Sequence, residues 1–401
     1  MFRKSLNLII DFFWYRRREL LDGAFWAHLL RAARERFWLA RRVSAREFQA
    51  NLRALEKRPW ILHVELTNIC NANCIFCAYQ YQARKEMVME ERVFWKALDD
   101  YCAFGGGDLK LQVVVGDPLV DKDFVKRVRE ARSRAQIRSI HTITNGILFH
   151  KHGISEVLAS GLNGITISVA AFDGDLYEKV YRNKNYPKVR DNVYALLRAN
   201  SEMGNPVRIR LGFRSNLTMK ETLELPDYQR LKGFPHEVVF NTDYDTWTGE
   251  IRQQDLLEGM HLRPLSKFDK EPCFWLYDGP IIFADGRVGL CGCRDYNAAS
   301  ELVVGHIMEE SLISIWQSER VRKLREKFRQ RNLPDICSKC TTYANLDLYR
   351  CRRGSERREL ISLVYPDSTH QSERRPVERG ERGQKHGENG YGSGVSHETH
   401  R

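Results

Sequence analysis

The stretch Cys70-Asn71-Ala72-Asn73-Cys74-Ile75-Phe76-Cys77 decides the reading of this chain. It places three thiols at i, i+4 and i+7, directly after an apolar, β-branched run, Ile61 to Thr67, that reads as a strand. Three thiolates hold three corners of a four-iron cube, in which each iron takes one terminal ligand. The fourth iron is then left open to another molecule. A zinc knuckle, or unrelated buried thiols, is the competing reading for such a triplet taken alone.

Downstream, apolar β-branched segments recur at Ile61–Thr67, Leu109–Val115, Ser139–Thr144, Ile165–Ala170, Val207–Phe213 and Glu237–Asn241. Helix-like segments separate most of them, at Glu90–Ala103, Lys122–Ala135, Ser155–Ser160, Leu176–Asn200 and Lys220–Arg230. Strand and helix in alternation predict a parallel sheet with crossover helices. Parallel barrels do their chemistry at the C-terminal ends of the strands, and the cysteine loop leaves from the first of those ends.

The last third holds six of the ten cysteines. Cys273 opens it. Pro280–Ala284, Asp285-Gly286 and Arg287–Leu290 read as a hairpin with a tight two-residue turn, closed by Cys291 with Cys293 after it. A helix is predicted from Ser311, with Leu312, Ile315, Trp316 and Leu324 as its apolar stripe. Cys337-Ser338-Lys339-Cys340 follows, and Cys351 trails. A CxxC pair also suits zinc. Cys102, inside a predicted helix, reads as structural.

The chain of 401 residues carries a net charge of +12, much of it at the start, where residues 1–58 hold 14 Lys and Arg against 6 Asp and Glu. Phe2, Leu6, Ile9 and Phe13 share one helical face there, among arginines and tryptophans. Such a basic amphipathic segment suits peripheral contact of residues 1–50 with a membrane surface, or packing on the rest of the protein. Nucleic acid is not expected as a partner. The start has no small-residue cleavage site, and no apolar run approaches the ~18 residues needed to span a bilayer. Cysteine clusters without secretory features point to a reducing cytoplasm and to metal ligands. From Gly354 the chain is polar, charged and glycine-rich, with too little apolar surface to fold alone. The expected organisation is therefore a helical basic extension (1–58), an α/β barrel region (59–250), a cysteine-rich region (251–353) and a disordered tail (354–401).

With this loop, this strand order and this second cysteine set, residues 59–353 resemble the radical S-adenosylmethionine (radical SAM) enzymes. The resemblance implies a partial (β/α)6 barrel followed by a small SPASM/twitch domain. It implies that Cys70, Cys74 and Cys77 hold a 4Fe-4S cluster whose open iron chelates the methionine part of SAM. Reduction then releases a 5′-deoxyadenosyl radical. Phe76 takes the position of the family's aromatic residue beside the adenine or cluster. Val115-Gly116-Asp117-Pro118 stands where relatives have GGEP, with Glu shortened to Asp, so Gly116 and Asp117 are candidate contacts of the SAM amino group. Asn145, in Thr144-Asn145-Gly146, falls near the ribose or the cluster, although Asn-Gly alone also reads as a turn. Ser168 corresponds to a serine that bonds SAM. Arg208 and Arg210 share one face of the fifth strand by period two, and Arg210, or Arg208 or Arg214, is the candidate partner of the SAM carboxylate.

The SPASM/twitch likeness implies that Cys273, Cys291, Cys337 and Cys340 ligate one auxiliary 4Fe-4S cluster, with Cys293 and Cys351 surplus. Twitch-type relatives use that cluster to accept an electron during alcohol oxidation, which favours a sugar, cyclitol or related polar metabolite. Peptide or protein maturation through crosslinks is the alternative, and a non-catalytic iron–sulfur scaffold the third reading. The family implies a reducing partner such as flavodoxin or ferredoxin. Arg252, His261 and Arg263 lie in the bridge to the cysteine-rich region.

Overall fold

The computed structural model describes residues 45–344 and 346, apart from 113, 242, 266–271 and 293. The expectations for residues 1–44, for Cys293 and Cys351 and for the tail 354–401 lie outside the described residues. Of the basic extension, the helix Ala45–Lys57 is described. It is tied down by Leu52 and Leu55, both buried, and by Trp316 Nε1, which donates to the Leu55 carbonyl at 3.0 Å. Among the described residues no helix is long and apolar enough to cross a membrane.

All six expected strands form, as β1 Ile61–Val64, β2 Gly107–Leu111, β3 Ile137–Thr144, β4 Gly164–Val169, β5 Arg208–Arg214 and β6 Glu237–Asn241. They pair in sequence order, each parallel to the next. This is the mostly parallel α/β sheet of a partial (β/α)6 barrel, open rather than closed. Residues on alternate positions face opposite ways. Leu109, Leu111, Ile140, Ile165, Ile167, Ile209 and Leu211 are buried on one face within the same apolar core as the crossover helices. Lys110, His141, Thr166, Ser168, Arg210 and Arg214 stand at the other positions and are only partly covered. That second face is the inner one, because its C-terminal end carries the contacts to the cysteine loop described below.

A short pair, β7 Asp243–Tyr244 and β8 His261–Leu262, lies apart. The cysteine-rich region then returns to the main sheet. Its hairpin, β9 Ile281–Ile282 and β10 Arg287–Gly289, joins with β9 parallel to β1, and β11 Val303–His306 completes nine strands. The hairpin turn is not the expected two-residue one. The Gly286 amide donates to the Phe283 carbonyl, the Phe283 amide to the Arg287 carbonyl, and Gly286 has φ +91°. A three-residue loop closed by a left-handed glycine fits this, since only one position takes the positive φ.

Three long predicted helices are each broken in two. Leu176–Asn200 becomes Gly174–Tyr181 and Tyr186–Glu202, because Arg182 turns left-handed and Pro187 starts a new first turn. Lys220–Arg230 becomes Met219–Glu224 and Pro226–Gln229, for the same reason at Pro226. The helix after Ser311 becomes Leu312–Trp316 and Glu319–Arg329, with Ser311 and Ser318 each accepting a backbone N–H as an N-cap.

Candidate active site

The cysteine loop leaves β1 at its C-terminal end and is pinned from two sides. From below, Gln112 Nε2 donates to the Thr67 carbonyl at 3.1 Å, and the Asp117 amide donates to the Ile69 carbonyl at 2.9 Å. From the side, the amides of Asn73 and Ile75 donate to the carbonyls of Tyr181 and Val180, at 3.3 and 3.0 Å. Gly116 has to be glycine. Its φ is +92°, and a Cβ there would stand 2.4 Å from the Thr67 carbonyl oxygen. The backbone after β2 therefore lies directly against the start of the loop.

Asp117 takes a different place from the one its motif implied. Its carboxylate is buried and accepts from the Leu119 amide at 3.0 Å, from Thr144 Oγ1 at 2.9 Å and from the Asn145 amide at 2.7 Å. It ties the loop after β2 to the end of β3. Burial pushes its pKa up to about 6 against the pull of these donors. Asn145 in turn donates from Nδ2 to Asn71 Oδ1 at 2.6 Å and to Cys70 Sγ at 3.8 Å. Asn145 is thus beside the first cysteine, and its Asn-Gly turn is what aims it there.

Phe76 lies with its ring 5.8 Å from Tyr181, 5.4 Å from Tyr244 and 5.4 Å from the Arg214 guanidinium. Arg214 Nε donates to Ser168 Oγ at 3.0 Å, and Ser168 Oγ lies 2.9 Å from the Tyr181 hydroxyl. Arg210 is not part of this group. Its Nε and Nη2 donate to Glu237 Oε2, at 3.2 and 3.1 Å, and Arg208 pairs with the same carboxylate. The reason is position along β5. Period two puts Arg208, Arg210 and Arg214 on one face, but only Arg214 stands at the C-terminal end, so Arg214 replaces Arg210 as the cation at the site.

Burial pushes the Cys70, Cys74 and Cys77 thiols up. At Cys74 the charges of Cys77 and Cys70 add to this, and Arg214 opposes it at both Cys74 and Cys77. Three half-buried thiols close enough to repel as thiolates need a cationic centre among them.

A second group forms in the last third. Cys337 is pushed up by burial and then by the charges of Cys291, Cys273 and Cys340. Cys273 is pushed up to about 12 by burial, with Cys340 and Cys291 again contributing. The Phe274 amide, donating to the Ala344 carbonyl at 2.7 Å, brings the segment after Cys340 back to Cys273. Arg294, which the sequence reading missed, links the two groups. Its amide donates to Cys291 Sγ at 3.4 Å, while its guanidinium, with Arg214, opposes the rise that burial imposes on the Cys77 thiol. That guanidinium lies 4.4 Å from the Trp247 ring and is paired with Asp245. Only its place just after Cys291 hinted at this role. Cys102 is half-buried in the helix Glu91–Ala103 and, among the described residues, enters no contact with either group.

The family model of the radical SAM superfamily matches residues 64–224, and that of the iron–sulfur cluster-binding SPASM domain matches residues 273–341. Residues 64–224 are a radical SAM domain and residues 273–341 a SPASM domain. Among curated relatives, a GTP 3′,8-cyclase of Vibrio vulnificus is 28% identical over 144 residues, 34% of this chain and 41% of that protein. A probable GTP 3′,8-cyclase of Methanocella arvoryzae is 26% identical over 223 residues, 55% of this chain and 68% of that protein. The chain thus spans about two fifths of the length of the first of these relatives. Streptococcus suis SuiB bound to precursor peptide SuiA has a similar fold, with a TM-score of 0.51 and 15% identity over 76% of both chains.

Radical SAM proteins carry a 4Fe-4S cluster and SAM, and the SPASM region adds auxiliary iron–sulfur binding. The residues here fit both. Cys70, Cys74 and Cys77 would supply three thiolates and so leave one iron of a cube open, and Cys273, Cys291, Cys337 and Cys340 would supply four. Among the described residues no group of three or more His, Cys, Asp or Glu side chains is arranged around a single metal ion. Thiolates on a cube stand one per iron, farther apart than around one zinc.

Proposed function

We propose that this radical SAM protein oxidises a small polar substrate, a sugar, cyclitol or related metabolite, by removing two electrons and two protons. The observation that supports this reading is that Cys273, Cys291, Cys337 and Cys340 lie close enough to act on one another's charge, as the four ligands of one cluster would. Four thiolates leave no iron of that cluster open, so it suits electron acceptance rather than substrate ligation. When bound, the first cluster and SAM supply the hydrogen-abstracting radical, and the second cluster takes the electron left on the substrate.

The chain's own residues bind and orient. Arg214, held by Ser168, pairs with the SAM carboxylate. Gly116 brings backbone close to the methionine moiety, and Phe76 packs against the adenine. Asn145 holds the Asn71 side of the loop and donates to the Cys70 sulfur. Arg294 lies between the two groups, its charge facing the first and its amide the second. A flavodoxin or ferredoxin is the reductant that fits this chemistry.

The test is anaerobic reconstitution with SAM, dithionite and a panel of sugars and cyclitols. The expected result is 5′-deoxyadenosine released together with an equal amount of a ketone. In Cys340→Ala, 5′-deoxyadenosine should persist while the ketone is lost. A product other than a ketone, whether a nucleotide cyclised without net oxidation or an oxidatively crosslinked peptide, would overturn the reading.

A further inference from the structure

Two asparagine side chains meet at the first cysteine, and the direction of each amide follows from its neighbours. Asn145 is buried, and its backbone amide donates to Asp117 Oδ2 at 2.7 Å. Its Oδ1 accepts the Ile147 amide at 3.0 Å. With the oxygen engaged there, the two Nδ2 hydrogens face the cysteine loop. One goes to Asn71 Oδ1 at 2.6 Å and the other to Cys70 Sγ at 3.8 Å. Asn71 therefore has to present its oxygen to Asn145, and its own Nδ2 is turned away from that contact.

That Nδ2 is shut off from solvent and, among the described residues, has no hydrogen-bond partner. A buried N–H without an acceptor is costly and calls for an explanation. Asn71 directly follows Cys70, inside the loop whose three thiols hold the first cluster. The acceptors that such a cluster brings are its sulfurs, thiolate and sulfide alike.

Charge around Cys70 gives these donors a task. Next to burial, the Asp117 carboxylate does most to push the Cys70 thiol up, and the Asn145 bond acts the other way. A nearby anion disfavours an added electron on the cluster for the same reason that it disfavours a thiolate. N–H donors aimed at sulfur favour both.

We propose that Asn71 and Asn145 are paired amide donors to the sulfurs of the first cluster, Asn145 to the Cys70 thiolate and Asn71 to a sulfide, and that together they raise its reduction potential. The reduced cluster carries one more negative charge, which hydrogen bonds to sulfur stabilise. The cluster then accepts its electron from a milder donor protein. This inference needs the first cluster alone and stands apart from the substrate class proposed above.

The test reads a potential, with no turnover required. The reconstituted full chain is titrated potentiometrically and followed by electron paramagnetic resonance, the first cluster's signal being the one that added SAM changes. Asn71→Leu, close in size, removes the unpartnered donor and the hold on Asn145. The equilibrium constant for reduction is expected to fall at least tenfold, a midpoint about 59 mV lower for one electron. Asn71→Asp keeps the oxygen that Asn145 engages and replaces the donor by a charge, so its fall should be larger. Gln80→Leu is the control. Gln80 Nε2 donates to the Cys77 carbonyl at 3.2 Å, so it anchors the same loop through backbone rather than sulfur, and the midpoint should stay. A midpoint that neither Asn71 variant moves, or that Gln80→Leu lowers equally, overturns the proposal. Where a variant takes up no iron, the wild type decides. With isotopically labelled nitrogen in its asparagine side chains, pulsed resonance of the reduced first cluster should show coupling to that nitrogen, and absence of the coupling overturns the proposal too.

Discussion

Arg214 donates from Nε to Ser168 Oγ at 3.0 Å, so the last residue of β5 and the penultimate residue of β4 form one polar unit beneath the cysteine loop. The guanidinium also faces the Phe76 ring and opposes the rise that burial imposes on the Cys74 and Cys77 thiols. One side chain thereby orders the loop, the aromatic residue and the strand ends.

Arg214→Ala should weaken SAM binding while iron content is retained. A hydrogen bond to a charged group is worth about 1.5–3 kcal/mol, so affinity should fall by roughly ten- to a hundredfold. Equilibrium binding of SAM to the reconstituted protein reads this out. An unchanged affinity would remove Arg214 from the carboxylate contact.

Asp117 gives a pH dependence. Its folded pKa, about 6, lies above the unfolded value of about 3.9. The native state therefore holds the proton more tightly between these values, and the contribution of the neutral carboxyl is lost as pH rises through 6. The stability of the wild type relative to Asp117→Asn should fall from pH 4 to pH 6 and level off above pH 7. Denaturant titration of both proteins across that range checks the sign. A relative stability that rises with pH would contradict the placement.

Glu65 and Arg84 form a buried forked pair, at 2.7 and 2.6 Å, and Glu65 Oε2 also accepts the Ala284 amide at 3.1 Å. The pair joins β1, the segment after the cysteine loop and the hairpin. Arg84→Ala strands a carboxylate whose pKa burial already raises. Breaking such a pair costs about 3–5 kcal/mol. Denaturant midpoints should show a loss of that order, and Arg84→Ala with near-native stability would mean that the pair is dispensable.

The two cysteine groups should lose iron independently. Cys74→Ala is expected to remove roughly half of the iron and all SAM cleavage, and Cys340→Ala roughly half of the iron with cleavage retained. Iron analysis with electron paramagnetic resonance distinguishes them. Loss of all iron in either variant would mean that the groups are not separate sites.

The site was legible unevenly. The spacing of Cys70, Cys74 and Cys77 identified the loop because thiols at i, i+4 and i+7 carry their chemistry in local geometry. Strand order was legible because β-branched runs and helical segments alternate. Arg210 misled, since period two fixes the face of a strand but not the distance along it. Asp117 misled in another way. Its motif placed it at the amino group, whereas Thr144, Asn145 and Leu119 engage its carboxylate. Helix breaks at Arg182, Pro226 and Ser318 were smoothed over by continuous apolar stripes.

The sequence alone determined which residues carry sulfur, that six parallel strands would present one set of ends, and that two cysteine groups exist. These are local properties of spacing and periodicity. Tertiary structure decided that the hairpin Ile281–Gly289 extends the sheet beside β1, that Arg294 stands between the two groups, and that Arg214 rather than Arg210 reaches the loop. Those outcomes depend on which distant segments share a neighbour in space. Backbone pairing between β1 and β9, more than two hundred residues apart along the chain, fixes such neighbours, and no local pattern encodes it.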